Sequence, residues 1–328
     1  MKVFSLICTL VFGVQFSFAQ LPESAKKQIS ALEEEMKEDS RSILFGLQPS
    51  DRLAADSIFT RKLVRALKTP NSFYYPFDSL ITISKLYAPD STFRIFTWNL
   101  IIHDNSIRQH GAIQMRTTDG SLKLFPLIDK SDIITNRWDT VANNHGWVGA
   151  VYYKIIKKDL NGQPVYTLLG FDENSIRSNI KMIDILQFKN GEPVFGAPIF
   201  SIADGQLVPK KINRYVMEYK KDAGPRLNYD ADLDLIMMEH LVSESNEPHK
   251  KYTLIGDGDY EAFKWLNGKW TYINKVFHEV TPEGKPPMPN QILDEQGNVD
   301  ESKVPGFEDA EVKENNRKGS KTKKKSKN

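Results

Sequence analysis

The chain has 328 residues, of which 40% are hydrophobic and 26% charged, and its formal net charge is +2. That length admits two domains, or one large β domain with additions, and the near-neutral balance excludes a broadly basic nucleic-acid face. Its one cysteine, Cys8, excludes an intrachain disulfide, a thiolate metal cluster and, once the leader is removed, a cysteine nucleophile.

The first nineteen residues read as a secretory signal peptide. Lys2 supplies the positive start, Val3 to Phe18 carries no charge, and Ser17 and Ala19 stand three residues and one residue before the expected cut ahead of Gln20. A membrane anchor is the weaker reading, because the apolar run is short and lacks a basic flank. A lipoprotein anchor at Cys8 is weaker still, because Ile7 precedes it where a small residue is wanted. Secretion without disulfides points to a periplasm or outer surface. No transmembrane span is expected.

Residues 20–70 read as a helical hairpin or cap. Ile29, Leu32 and Met36 form an apolar stripe on a helix over Pro22–Glu38. A second helix is expected after Ser50 as N-cap, with Phe59, Leu63, Ala66 and Leu67 on one face and Pro70 beyond its end. The segment "SILFGLQPS" reads as the connection.

From about Leu80 the pattern turns to alternating aromatic and β-branched runs. Asp119-Gly120, Asn161-Gly162, Asn190-Gly191 and Asn267-Gly268 interrupt them, and such dipeptides favour the left-handed conformations of tight hairpin turns. A unit recurs. "FRIFTWN" and "YTLLGFD" have one form, "NSIR" follows both, and an apolar strand, a Gly turn and a further strand come next. A third copy, "YTLIGDGDYE", lacks "NSIR" but leads into "YEAFKWLNGKWTYINKVF". The expectation over residues 71–280 is a mainly β domain of repeated four-stranded antiparallel meanders, propeller-like or alternatively a twisted sandwich or barrel. The stretch between the second and third copies carries its own hairpin and reads as a candidate fourth sheet.

"YTLLGFD" and "NGEPVFG" resemble an aromatic-led strand and hairpin found in uncharacterised secreted proteins of Bacteroidetes-type bacteria. The resemblance covers about Phe93 to Phe277 and implies compartment and fold, with no activity attached.

Residues 281–328 are rich in Pro, Gly and charge and read as a disordered tail. Its last twelve residues hold seven Lys and Arg and no acid, which against the total of +2 leaves −5 for the rest. The basic end suits contact with anionic surfaces.

Candidate chemistry is sparse. Asp257, Asp259 and Glu261 alternate in "GDGDYE", a pattern that serves either a calcium ion or an acidic turn. Calcium is the one cofactor the sequence offers. Asp230, Asp232 and Asp234 alternate in "YDADLDL" and read as one side of a strand. His103, His110 and His145 flank strands of one unit and are candidates to meet in space. Trp265 and Trp270 face each other across the Asn267-Gly268 turn, either as packing or as a stacking platform for a ligand. No nucleophile elbow or phosphate-binding loop is present. Two functions of different class follow. The favoured one is a non-catalytic envelope protein whose β platform binds a protein or glycan, with no nucleic-acid role. The alternative is a secreted hydrolase of glycan or peptide using clustered carboxylates or histidines.

Overall fold

The computed structural model describes residues 21–103, 106–202 and 212–277. The segment read as a signal peptide and the tail read as disordered lie outside the described residues. In chain order the elements are α1 (Glu23–Phe45), α2 (Pro49–Leu67), β1 (Ser84–Tyr87), β2 (Phe93–His103), β3 (Ser106–Met115), β4 (Lys123–Ile128) and β5 (Ala142–Asn143). They continue with β6 (Val151–Leu160), β7 (Gln163–Asp172), β8 (Ser178–Lys189), β9 (Glu192–Phe195) and β10 (Phe200–Ser201). The last are β11 (Tyr215–Lys220), β12 (Leu227–Asp230), β13 (Leu235–Ser243), β14 (Leu254–Leu266) and β15 (Lys269–Ile273).

The two helices bury the stripes read from their spacing, Ile29, Leu32 and Met36 on α1 and Phe59, Leu63, Ala66 and Leu67 on α2. Their boundaries differ from the expectation. α1 runs on to Phe45 because Ser40 and Ile43 continue its buried stripe, so the connection shrinks to Gly46–Gln48. α2 starts at Pro49, whose missing N–H costs nothing in a first turn. Gln48, rather than Ser50, is the N-cap, and its N–H donates to Asp51 in a capping box.

Three antiparallel sheets follow. Sheet 1 is β1-β2-β3-β4 in chain order. Sheet 2 contains β6-β7-β8-β9 in chain order, widened by β5 beside β9 and by β11 beside the first half of β8. Sheet 3 is β12-β13-β14-β15 with β10 parallel to β15. The segment expected as a fourth sheet is therefore shared out, β11 to sheet 2 and β12 to sheet 3. The third unit also differs from its expectation. From "LIG" through "YEAFKWL" the chain is one strand, β14, and where the second unit turns at "NSIR" it carries a bulge. Glu239 pairs with Tyr260 and Leu241 with Gly256, so His240 alone opposes Asp257, Gly258 and Asp259.

Asn161-Gly162, Asn190-Gly191 and Asn267-Gly268 each join adjacent strands with positive φ at both residues, as expected of two-residue hairpins. Asp119-Gly120 does not. Only Gly120 has positive φ, and Asp119 instead accepts from the Ser121 N–H in a longer loop.

Side-chain alternation turns the sheets into layers. On β2, Phe96, Trp98 and Leu100 pack with the helices, whereas Phe93 and Ile95 pack with Tyr152, Tyr166, Leu168 and Met182 of sheet 2. On β7 and β8, Leu168, Met182 and Leu186 face sheet 1, while Val165, Leu169, Ile183 and Ile185 face Ile236, Met238, Phe263 and Trp270 of sheet 3. The order is helices, sheet 1, sheet 2, sheet 3, with an apolar seam at each junction. Sheets 1 and 3 share no seam, and no sheet closes into a barrel among the described residues. The packing is face to face, as in a sandwich, extended by a third sheet and a helical layer. No helix among the described residues is long and apolar enough to cross a membrane.

Candidate binding cleft

The residues singled out in the sequence scatter. Trp265 pairs with Trp270 across the turn, ring centroids 5.3 Å apart and edge to face. Trp270, however, is fully buried between sheets 2 and 3, where its Nε1–H donates to Thr167 Oγ1 at 2.8 Å. The hairpin therefore offers no two-indole surface to a ligand. Asp230, Asp232 and Asp234 do not share a strand face, because β12 ends at Asp230 and a turn follows. Asp230 accepts from the N–H groups of Asp232 and Leu233, and Asp234 binds Lys158 and Tyr229.

Asp257, Asp259 and Glu261 also diverge. Asp257 takes His240 Nδ1 at 2.8 Å, Asp259 takes Lys275 Nζ at 3.3 Å, and Glu261 lies buried near His240 Nε2 at 3.8 Å. Burial pushes the Glu261 carboxyl above its ordinary range, against the hydrogen bond from Tyr272 and the nearby His240. The acidic segment thus holds His240 within the bulge. His240 and Glu261, with Tyr215, Tyr272 and Glu239, line a cavity of about 210 Å³ at the seam of sheets 2 and 3. His103 and His145 are exposed and apart from His110 in their bonding. Among the described residues no group of three or more His, Cys, Asp or Glu side chains converges as a metal site.

The larger cleft, about 450 Å³, lies between α2 and the β3–β4 half of sheet 1. Trp98, Pro126, Leu127, Ile128 and Ile133 make it largely apolar, and Arg108, His110, Lys130, Asp129 and Asp132 supply its polar groups. Asp56, on the buried face of α2, fixes one wall. Its Oδ1 accepts from Trp98 Nε1 at 2.8 Å and from His110 Nδ1 at 2.9 Å. The carboxylates are already engaged. Asp129 accepts from the N–H groups of Gln109 and Ser131, and Asp132 pairs with Arg108 Nη2 at 2.8 Å. That bond holds the Asp132 carboxyl below its ordinary range.

The sequence reading named His110 but neither Asp56 nor the rim. One signal for Asp56 was available, since it stands three residues before Phe59 and seven before Leu63 on the apolar face of α2. A carboxylate there needs a buried donor. Nothing local announced that Trp98 and His110 would supply it. Comparison of the chain with family models, with curated proteins and with solved structures returns no match.

Proposed function

We propose that this is an exported, non-catalytic envelope protein, a stacked β platform that binds an envelope protein or glycan through the cleft between α2 and sheet 1. Export rests on the leader-like first nineteen residues. The secreted β proteins that "YTLLGFD" and "NGEPVFG" resemble agree with it. The observation that carries binding is the cleft itself, an apolar concavity with a few charged groups at its rim, the usual build of a ligand site. Calcium has no part in this reading, because Asp257, Asp259 and Glu261 are already committed to His240, Lys275 and Tyr272. The basic end of the chain adds attraction to anionic surfaces.

The test is capture of envelope components and of arrayed glycans by the immobilised protein. Ile133, 69% exposed at the cleft, and Val141, 51% exposed elsewhere, supply the comparison. Ile133→Glu is expected to abolish capture and Val141→Glu to leave it intact. Equal capture by both variants, or none by the wild type, overturns the reading.

A hydrolase is the second reading, and one observation favours it. Asp56 orients the His110 imidazole through Nδ1, and Nε2 has no partner among the described residues, the arrangement of a general base. Its weakness is the lack of a nucleophile shown within reach of that nitrogen.

A further inference from the structure

The cleft's ligand can be narrowed by counting which hydrogen-bonding groups remain unused. Every carboxylate at the site has donors already. Asp56 has Trp98 and His110, Asp129 has two backbone N–H groups, and Asp132 has Arg108. Unused donor capacity remains beside them. Lys130 Nζ has no hydrogen-bond or ion-pair partner among the described residues. Arg108 spends one nitrogen, Nη2, on Asp132, and its other N–H groups have no partner among the described residues. Thr60 Oγ1 is buried in the cleft wall with no partner among the described residues. Beside these donors lie Trp98, Leu127, Ile128 and Ile133, and the space of about 450 Å³ falls within the range of small-molecule sites.

We infer that the cleft binds a small amphipathic anion, its phosphate, sulfate or carboxylate head against Arg108 and Lys130 and its apolar body against Trp98, Leu127 and Ile133. This rests on the binding reading above and names the part of an envelope component that would enter the cleft, an anionic group next to an apolar one. A free amphiphile and the head region of an anionic lipid share that chemistry. Guanidinium and ammonium donors suit such a head, because charge-assisted bonds are the strong ones in a partly desolvated site.

Octyl phosphate is the probe, read by the indole N–H signal of Trp98 in a ¹H–¹⁵N spectrum of the full chain, assigned with Trp98→Phe. Octanol, of the same chain length without charge, is the control. The inference expects saturable shifts with octyl phosphate, at least about tenfold weaker binding of octanol, and a loss of about tenfold in Arg108→Gln/Lys130→Gln. Lys130 is exposed and Arg108 half-buried in its pair with Asp132, so an unchanged melting temperature in that double variant is required to keep the comparison clean. Co-sedimentation with phosphatidylglycerol vesicles that the double variant loses assigns the head group to lipid, and binding of soluble octyl phosphate alone assigns it to a free amphiphile. Octanol binding as tightly as octyl phosphate, an unaffected double variant, or an unmoved Trp98 signal overturns the inference. Envelope capture that still depends on Ile133 would in that event leave the binding function standing.

Discussion

Asp184 and Arg214 are both 0% exposed and stand 2.8 Å apart, an ion pair buried away from bulk solvent. Asp184 also accepts from Tyr152, whose hydroxyl in turn accepts from Trp147 Nε1. Removing one charge strands the other, which costs about 3–5 kcal/mol in such sites. Asp184→Asn is therefore expected to lose stability of about that size in urea denaturation, and a loss below about 1 kcal/mol would show that the pair is solvated in solution. Arg94 shows the other way to bury a cation. It has no carboxylate partner among the described residues, but its guanidinium donates to the carbonyl groups of Ser72 and Tyr75 and lies among the rings of Phe73, Phe77, Tyr87 and Phe96. Neither arrangement was legible in the sequence. "MIDILQF" shows a carboxylate on an inward-facing position, but its partner comes thirty residues later in "INRYV" and no local pattern joins them. The cleft was hidden for the same reason, since Asp56, Trp98, His110 and Lys130 come from four separate stretches.

Elements were read better than residues because their signals are local. Three Asn-Gly dipeptides gave the hairpins, and alternation gave the strands. The failures lie where an element is closed by something distant. "YTLIGDGDYE" looks like a strand and a turn, yet pairing with β13 on one side keeps it extended through the bulge at His240. The motif "NGEPVFG" has a physical cause at its last residue. Gly196 has φ of 90°, donates to Ile185 O, and would place a Cβ 2.6 Å from the Thr140 carbonyl oxygen. Gly162, with φ of 78°, has nothing within 4 Å of the same position. Gly162→Ala is expected to cost only the left-handed strain of about 1–2 kcal/mol, and Gly196→Ala clearly more, by thermal or urea unfolding. Equal losses would mean that the backbone near Thr140 yields freely.

At the scale of the whole molecule, the sequence marked the meanders but not their stacking. The reason lies in β7 and β8. Both faces of these strands are buried, so "YTLLG" and "MIDIL" are apolar almost throughout and carry no sign of which face meets which neighbour. The stack leaves concavities at its seams, and one of about 450 Å³ opens where α2 meets sheet 1. The binding proposal makes this cleft the working surface of the protein. A photo-crosslinking residue placed at Ile133 in cells that make the protein tests it most directly, with the same residue at Val141 as the control. The expected outcome is an adduct at position 133 that Arg108→Gln/Lys130→Gln weakens, and none at 141. No adduct at 133, or equal adducts at both positions, would contradict it.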